Sequence, residues 1–122
     1  MDKPTKILLV DDDPIFFSFA DMEINNVETA VEIHKAMICE EAIYFLRQGQ
    51  VDIIFLDLNM PVMNGWEFLD ALPQVENNDH QIYVLTSSID PSDQRKADEN
   101  PFVTSMLEKP LDKDKISKVL TS

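Results

Sequence analysis

Cysteine occurs once in these 122 residues, at Cys39, so no disulfide can form within the chain. A lone thiol agrees with a reducing compartment, and a cytoplasmic protein is expected. Basic residues are scarce: ten Lys and Arg stand against 23 Asp and Glu, a net charge of −13. Phosphate backbones demand Lys and Arg, so the balance argues against nucleic acid as a partner. It suits cations, basic protein surfaces and solubility. Long apolar runs are missing too. No stretch approaches the ~18 residues a membrane span requires. The opening MDKPTK lacks the apolar segment of a secretory signal, and no membrane association is expected. Glycine appears only twice and hydrophobic residues make up 44%, which indicates a packed globular chain rather than a disordered one. The length suits a single domain over residues 1–122, with no repeat or linker inside it.

What is present alternates between strand and helix. The centre of the pattern is VDIIFLDLNMP, Val51–Pro61, where an apolar run through Leu56 meets Asp57. Such a run suits a strand covered on both faces. Ahead of it, Lys6–Val10 reads as a buried strand ending at Asp11, Asp12 and Asp13. Asp13-Pro14 opens a helix to about Asn26, with Ile15, Phe19 and Met22 at helical spacing as its apolar face. Thr29–Ala36 alternates as a less covered strand, and Ile38–Gln48 forms a helix that Gly49 ends. After the centre, Asn64 caps a helix over Gly65–Leu72, ended by Pro73, and 75–80 is a polar loop. Gln81–Leu85 is a strand ending at Thr86; Asp90-Pro91 starts a helix to about Glu99. Phe102–Leu107 is a mixed strand before Lys109-Pro110, and Asp112 caps a last helix through Leu120.

Strict alternation predicts an α/β domain with a doubly wound, five-stranded parallel sheet and helices on both faces. The first, third and fourth strands are nearly pure apolar and belong in the middle; the second and fifth are mixed and belong at the edges. Right-handed crossovers then favour the order 2-1-3-4-5, the flavodoxin-like arrangement. Ligands bind beside the switch point of such sheets, at the carboxyl ends of the strands. That places Asp11, Asp12 and Asp57 together, with Thr86 and Lys109 from the neighbouring strand ends. Oxygen-only ligands suit a hard ion, and Mg²⁺ takes one or two carboxylates plus waters and a phosphate. Carboxylates, a divalent ion, a hydroxyl and an ammonium make a site for a phosphoryl group. In the absence of a Ser–His or Cys–His constellation, Asp57 is the natural nucleophile, forming an aspartyl phosphate.

VDDDP, FLDLNMPVMNG, VLTSS and EKP, in this order, resemble the receiver domain of two-component response regulators, chemotaxis-regulator-like, over essentially the whole chain. The resemblance implies that Asp57 accepts phosphate from a sensor histidine kinase or histidine phosphotransfer protein. It implies that Asp11, Asp12, Asp57 and the backbone carbonyl of Asn59 hold Mg²⁺. Thr86 matches the hydroxyl that moves to the phosphoryl group, and Lys109 the lysine that pairs with it, ahead of a cis proline at Pro110. A stand-alone receiver, monomeric or weakly dimeric, would signal by contact with a downstream protein the sequence does not name. It would catalyse its own phosphotransfer and dephosphorylation without turning over an external substrate.

Three positions depart from the family pattern. Met106 stands where Tyr or Phe is usual, Glu108 where small or apolar residues are common, and Asn64 replaces a frequent Asp. Flexible Met106 can fill space vacated by Thr86 without presenting a flat ring, so output is expected to lean on the Ser87–Pro91 loop. A Mg²⁺-dependent phosphatase with an aspartyl-phosphate intermediate is the alternative. Haloacid-dehalogenase-like enzymes of that kind carry a second Asp two residues after the nucleophile, where this chain has Asn59. A flavin-binding module would need a Ser/Thr/Gly-rich loop after the first strand, where three aspartates stand. His34 and His80 are read as structural or solvated, Cys39 as core or boundary, and Phe16 and Phe17 as both partly buried, the alternative being that one is exposed near the site, where receiver domains dock the phosphodonor helix.

Overall fold

The computed structural model describes residues 4–27, 30–48, 51–60, 64–71 and 80–121. Ten elements alternate: β1 (Thr5–Val10), α1 (Pro14–Asn25), β2 (Val31–Ala36), α2 (Cys39–Arg47), β3 (Ile53–Asp57), α3 (Gly65–Ala71), β4 (Gln81–Thr86), α4 (Pro91–Glu99), β5 (Val103–Glu108) and α5 (Lys113–Leu120). Every strand pairing is parallel and the order is β2-β1-β3-β4-β5. This is the doubly wound, flavodoxin-like sheet that the apolar runs predict. Burial follows the same logic: β3 is buried throughout, whereas the edge strands β2 and β5 are mostly half-buried or exposed.

Alternate strand residues point to opposite faces, and the core divides accordingly. On one face Leu8, Val10, Ile54, Leu56, Ile82 and Val84 pack with α2, α3 and α4 through Ala42, Leu46, Phe68 and Ala97. On the other, Ile7, Leu9, Ile53, Phe55, Tyr83 and Leu85 meet α1 and α5. Three helices start on aspartate caps. Asp13 accepts from the Ile15 N–H (3.0 Å), Asp90 from the Ser92 N–H (2.7 Å) and Asp112 from the Lys115 N–H (3.0 Å). Asn64 and Glu67 cap α3 reciprocally, each backbone N–H donating to the other's side chain at 2.9 and 3.2 Å. Each such cap stabilises its helix by about 1 kcal/mol.

The inward face of α1 differs from the expectation. Phe16, Phe17, Ala20 and Ile24 are buried, while Ile15 is 76% and Met22 62% exposed. The helix is apolar on two sides, and the sheet takes the side with two aromatic rings, which bury more area. Phe16 and Phe17 are both buried, stacked edge-on at 6.0 Å. Their side chains splay around the helix flank enough for adjacent positions to reach the core. Smaller shifts occur at element ends. Within the described residues β2 is assigned from Val31, α2 begins at Cys39 rather than Ile38, and β5 runs one residue later. Gly49, Leu72, Pro73 and most of the 75–80 loop lie outside the described residues. Cys39 is buried, and burial, with Glu40 and Glu67 nearby, pushes its thiol up to about 11, which makes it an inert core residue.

Candidate functional site

Strands β1 and β3 are neighbours, with Val10 opposite Leu56, so their carboxyl ends lie side by side. Asp11 follows one and Asp57 closes the other; both are buried. Asp11 is fixed by its N–H donating to the Ala36 carbonyl (3.1 Å), and its Oδ1 accepts from the Asp13 N–H (3.0 Å). Asp57 Oδ1 accepts from the Asn59 N–H (3.3 Å). Asp12 is exposed and turns its carboxylate to the same place: one oxygen from each of Asp11, Asp12 and Asp57 lies within 4.8 Å of the others. Behind them α3 presses close. A Cβ on Gly65 would sit 2.9 Å from Leu58 Cδ2 and 3.0 Å from the Asp57 carbonyl oxygen, so only glycine allows this approach.

Lys109 comes from the end of β5, anchored by its N–H to the Thr86 carbonyl at 2.7 Å. Its Nζ donates to Asp11 Oδ2 at 2.8 Å, stands 3.4 Å from Asp57 Oδ1 and lies 5.0 Å from the centre of the Phe16 ring. The Lys109–Pro110 peptide is cis. Thr86 is buried at the end of β4; its hydroxyl donates to the Ser88 carbonyl (3.1 Å) and accepts from the Ser88 N–H (3.4 Å). Its one proton is committed to its own loop. A cleft of about 420 Å³ opens beside Lys109, lined by Ile15, Phe16 and Phe19 of α1 and by Ser87, Pro110 and Leu111.

The charges do not balance. Burial raises the Asp11 pKa, Asp57 adds to the rise, and Lys109 only partly opposes it. Burial by itself would lower Lys109, but its bonds and attraction to Asp11 and Asp57 outweigh that and raise it. The two partners thus respond oppositely: the pair favours the ammonium but leaves the Asp11 carboxylate under-compensated. One lysine serves two enclosed carboxylates, with Asp12 close by. A cluster of hard oxygens carrying spare negative charge fits a divalent cation.

A model of the response regulator receiver domain matches residues 7–121. The chain belongs to that family. Among curated relatives, the nitrate/nitrite response regulator NarL of Escherichia coli is 37% identical over 70 residues, 57% of this chain and 32% of its own length. The chain therefore spans about a third of that relative. The two-component response regulator ARR22 of Arabidopsis thaliana is 32% identical over 116 residues, covering 93% of this chain and 80% of its own. A two-component response regulator from Cytophaga hutchinsonii superposes with a TM-score of 0.89 at 31% identity, covering 98% of this chain and 96% of that one. The receiver resemblance read from VDDDP through EKP is thus correct. The same receiver residues that the sequence singled out, Asp11, Asp12, Asp57 and Lys109, meet in space, with Thr86 on the adjoining strand end. Phe16, which the sequence leaves between partial burial and exposure near the site, is buried and lies under the Lys109 ammonium. No described helix is long and apolar enough to cross a membrane.

Proposed function

We propose that Asp57 of this receiver accepts a phosphoryl group from a phosphohistidine of a sensor kinase or phosphotransfer protein. The observation that carries the reading is a buried Asp57 carboxylate with Asp11 and Asp12 oxygens within 4.8 Å and the Lys109 ammonium at 3.4 Å. An Asp57 oxygen attacks phosphorus, the P–N bond to the donor imidazole breaks, and the imidazole leaves with that electron pair. Asp11, Asp12, Asp57 and the Asn59 carbonyl would hold Mg²⁺. The ion would neutralise charge on the phosphoryl oxygens. Lys109 exchanges part of its contact with Asp57 for a phosphoryl oxygen. Thr86 gives up the Ser88 carbonyl for the stronger acceptor that the new dianion provides. The donor docks along the Ile15–Phe19–Met22 stripe of α1, where Ile15 and Met22 are exposed and Ile15 and half-buried Phe19 line the 420 Å³ cleft. Hydrolysis returns the domain to its resting state with no external substrate.

Output follows from Thr86. Releasing Ser88 moves the Ser87–Pro91 loop and the start of α4, and buried Met106, in the same core cluster as Ala97 of α4, fills the space. Acetyl phosphate with Mg²⁺ should shift backbone amide resonances in Ser87–Pro91 and α4. Thr86→Ala should still take up phosphate but lose those shifts, whereas Met106→Ala should keep them. Intact shifts in Thr86→Ala would remove the hydroxyl from the switch, and their loss in Met106→Ala would make the methionine the moving part.

A further inference from the structure

We infer that Lys115 is a positioning residue for Lys109, clamping the backbone on both sides of it. The Lys115 ammonium donates to the Glu108 carbonyl at 2.6 Å and to the Pro110 carbonyl at 2.9 Å. Those are the residues immediately before and after Lys109. The Pro110 carbonyl also accepts from the Asp112 N–H (3.1 Å), and the Asp112 side chain in turn holds the Lys115 N–H (3.0 Å). Lys115 therefore ties the first turn of α5 to the connection that carries Lys109.

Two bonds converging from one ammonium do what a single bond cannot. One bond leaves the tripeptide free to rotate about it; two, on carbonyls flanking Lys109, fix its orientation. The Lys109 N–H bond to the Thr86 carbonyl (2.7 Å) supplies a third point. Lys109 reaches Asp11 and Asp57 on a flexible four-carbon stem. A small tilt at its Cα is enlarged at its Nζ, which stands 2.8 Å from one carboxylate and 3.4 Å from the other. Charge-assisted bonds to carbonyls are stronger than neutral ones, which suits the clamp to this task. Lys115 touches neither Asp57 nor the other carboxylates through any bond described, so it acts through Lys109.

The role rests on the reading of Asp57 as phosphoacceptor, and two measurements separate them. The first is hydrogen exchange of the Lys109 amide in the unphosphorylated protein. The second is the initial rate of phosphorylation by acetyl phosphate at saturating Mg²⁺. Lys115→Met should speed Lys109 exchange about fivefold and slow phosphorylation about fivefold, as for loss of one net hydrogen bond, with Mg²⁺ affinity unchanged. Lys115→Arg should restore both, because a guanidinium presents paired donors to the same carbonyls. Unchanged Lys109 exchange in the Met variant, equal acceleration of amides throughout the sheet, or failure of Arg to restore the rate would overturn the clamp. Wild-type protein that takes up no phosphoryl group would overturn the Asp57 reading, and the exchange comparison would still decide the clamp.

Discussion

Chelation of divalent cations should cut phosphoryl uptake from acetyl phosphate roughly 100-fold or more, the scale on which losing a preorganised charge at a transition state acts. The cause is the charge imbalance at the strand ends. Asp11 and Asp57 are enclosed, Asp12 adjoins them, and Lys109 is the one ammonium bonded there among the described residues. An incoming phosphoryl group adds further negative charge to a site already short of positive charge. The same ion should stabilise the fold, by about 2.7 kcal/mol at a concentration a hundred times its dissociation constant. Asp12→Ala separates the two effects. Asp12 is exposed and contributes little to packing, so the variant should unfold close to wild type without Mg²⁺ but lose most of the Mg²⁺-dependent gain. Thermal unfolding with and without Mg²⁺ measures it; a full gain in Asp12→Ala would place the ion elsewhere.

Lys109→Ala should have the largest effect on stability, lowering the unfolding free energy by about 2–3 kcal/mol at pH 7. Removing one partner of a fully enclosed ion pair costs ~3–5 kcal/mol; the Lys109 side chain is 23% exposed, so water moderates the loss. The pH dependence has a defined sign. Asp11 is raised above its usual value in the fold, so its contribution is present below pH 3.8 and is lost as pH rises through the raised value. Without Lys109 the rise grows, so the variant should recover toward wild-type stability on acidification from pH 7 toward pH 4. Lys109 is itself raised, so the stability it adds to wild type persists to 10.5 and is lost only above that, through its raised value. Urea titrations at several pH values test this. A deficit that is constant from pH 7 to pH 4 would show that unpaired carboxylates are not its source.

Much of this was legible because strands and caps carry strong local signals. Ile53–Leu56 is covered on both faces and reads as an unbroken apolar run. Asp13-Pro14, Asp90-Pro91 and Asp112 mark helix starts that the hydrogen bonds bear out. Strand order then followed from which runs were purest, and the order alone brings Asp11 beside Asp57. The face of α1 was not legible. Ile15, Phe19 and Met22 keep a 3.6-residue period, but so do Phe16, Ala20 and Ile24, and periodicity cannot choose between two apolar stripes. The ambiguity is informative, since Ile15 and Met22 of the stripe at helical spacing are exposed, and Ile15 lies beside the cleft. Nor could spacing show that Lys109 lies nearer Asp11 than Asp57, that Thr86 is held by Ser88, or that Lys115 reaches back to two carbonyls. Those depend on side-chain paths across segments far apart in sequence.

The central claim is that Asp57, and no other carboxylate of the cluster, becomes phosphorylated. Borohydride reduces an aspartyl phosphate to homoserine, which marks the acceptor in a peptide mass spectrum. Wild-type protein treated with acetyl phosphate and Mg²⁺, then reduced, should carry homoserine at residue 57 alone, and Asp57→Asn should carry none. Homoserine at Asp11 or Asp12, or an unmodified Asp57 in wild type, would contradict the account.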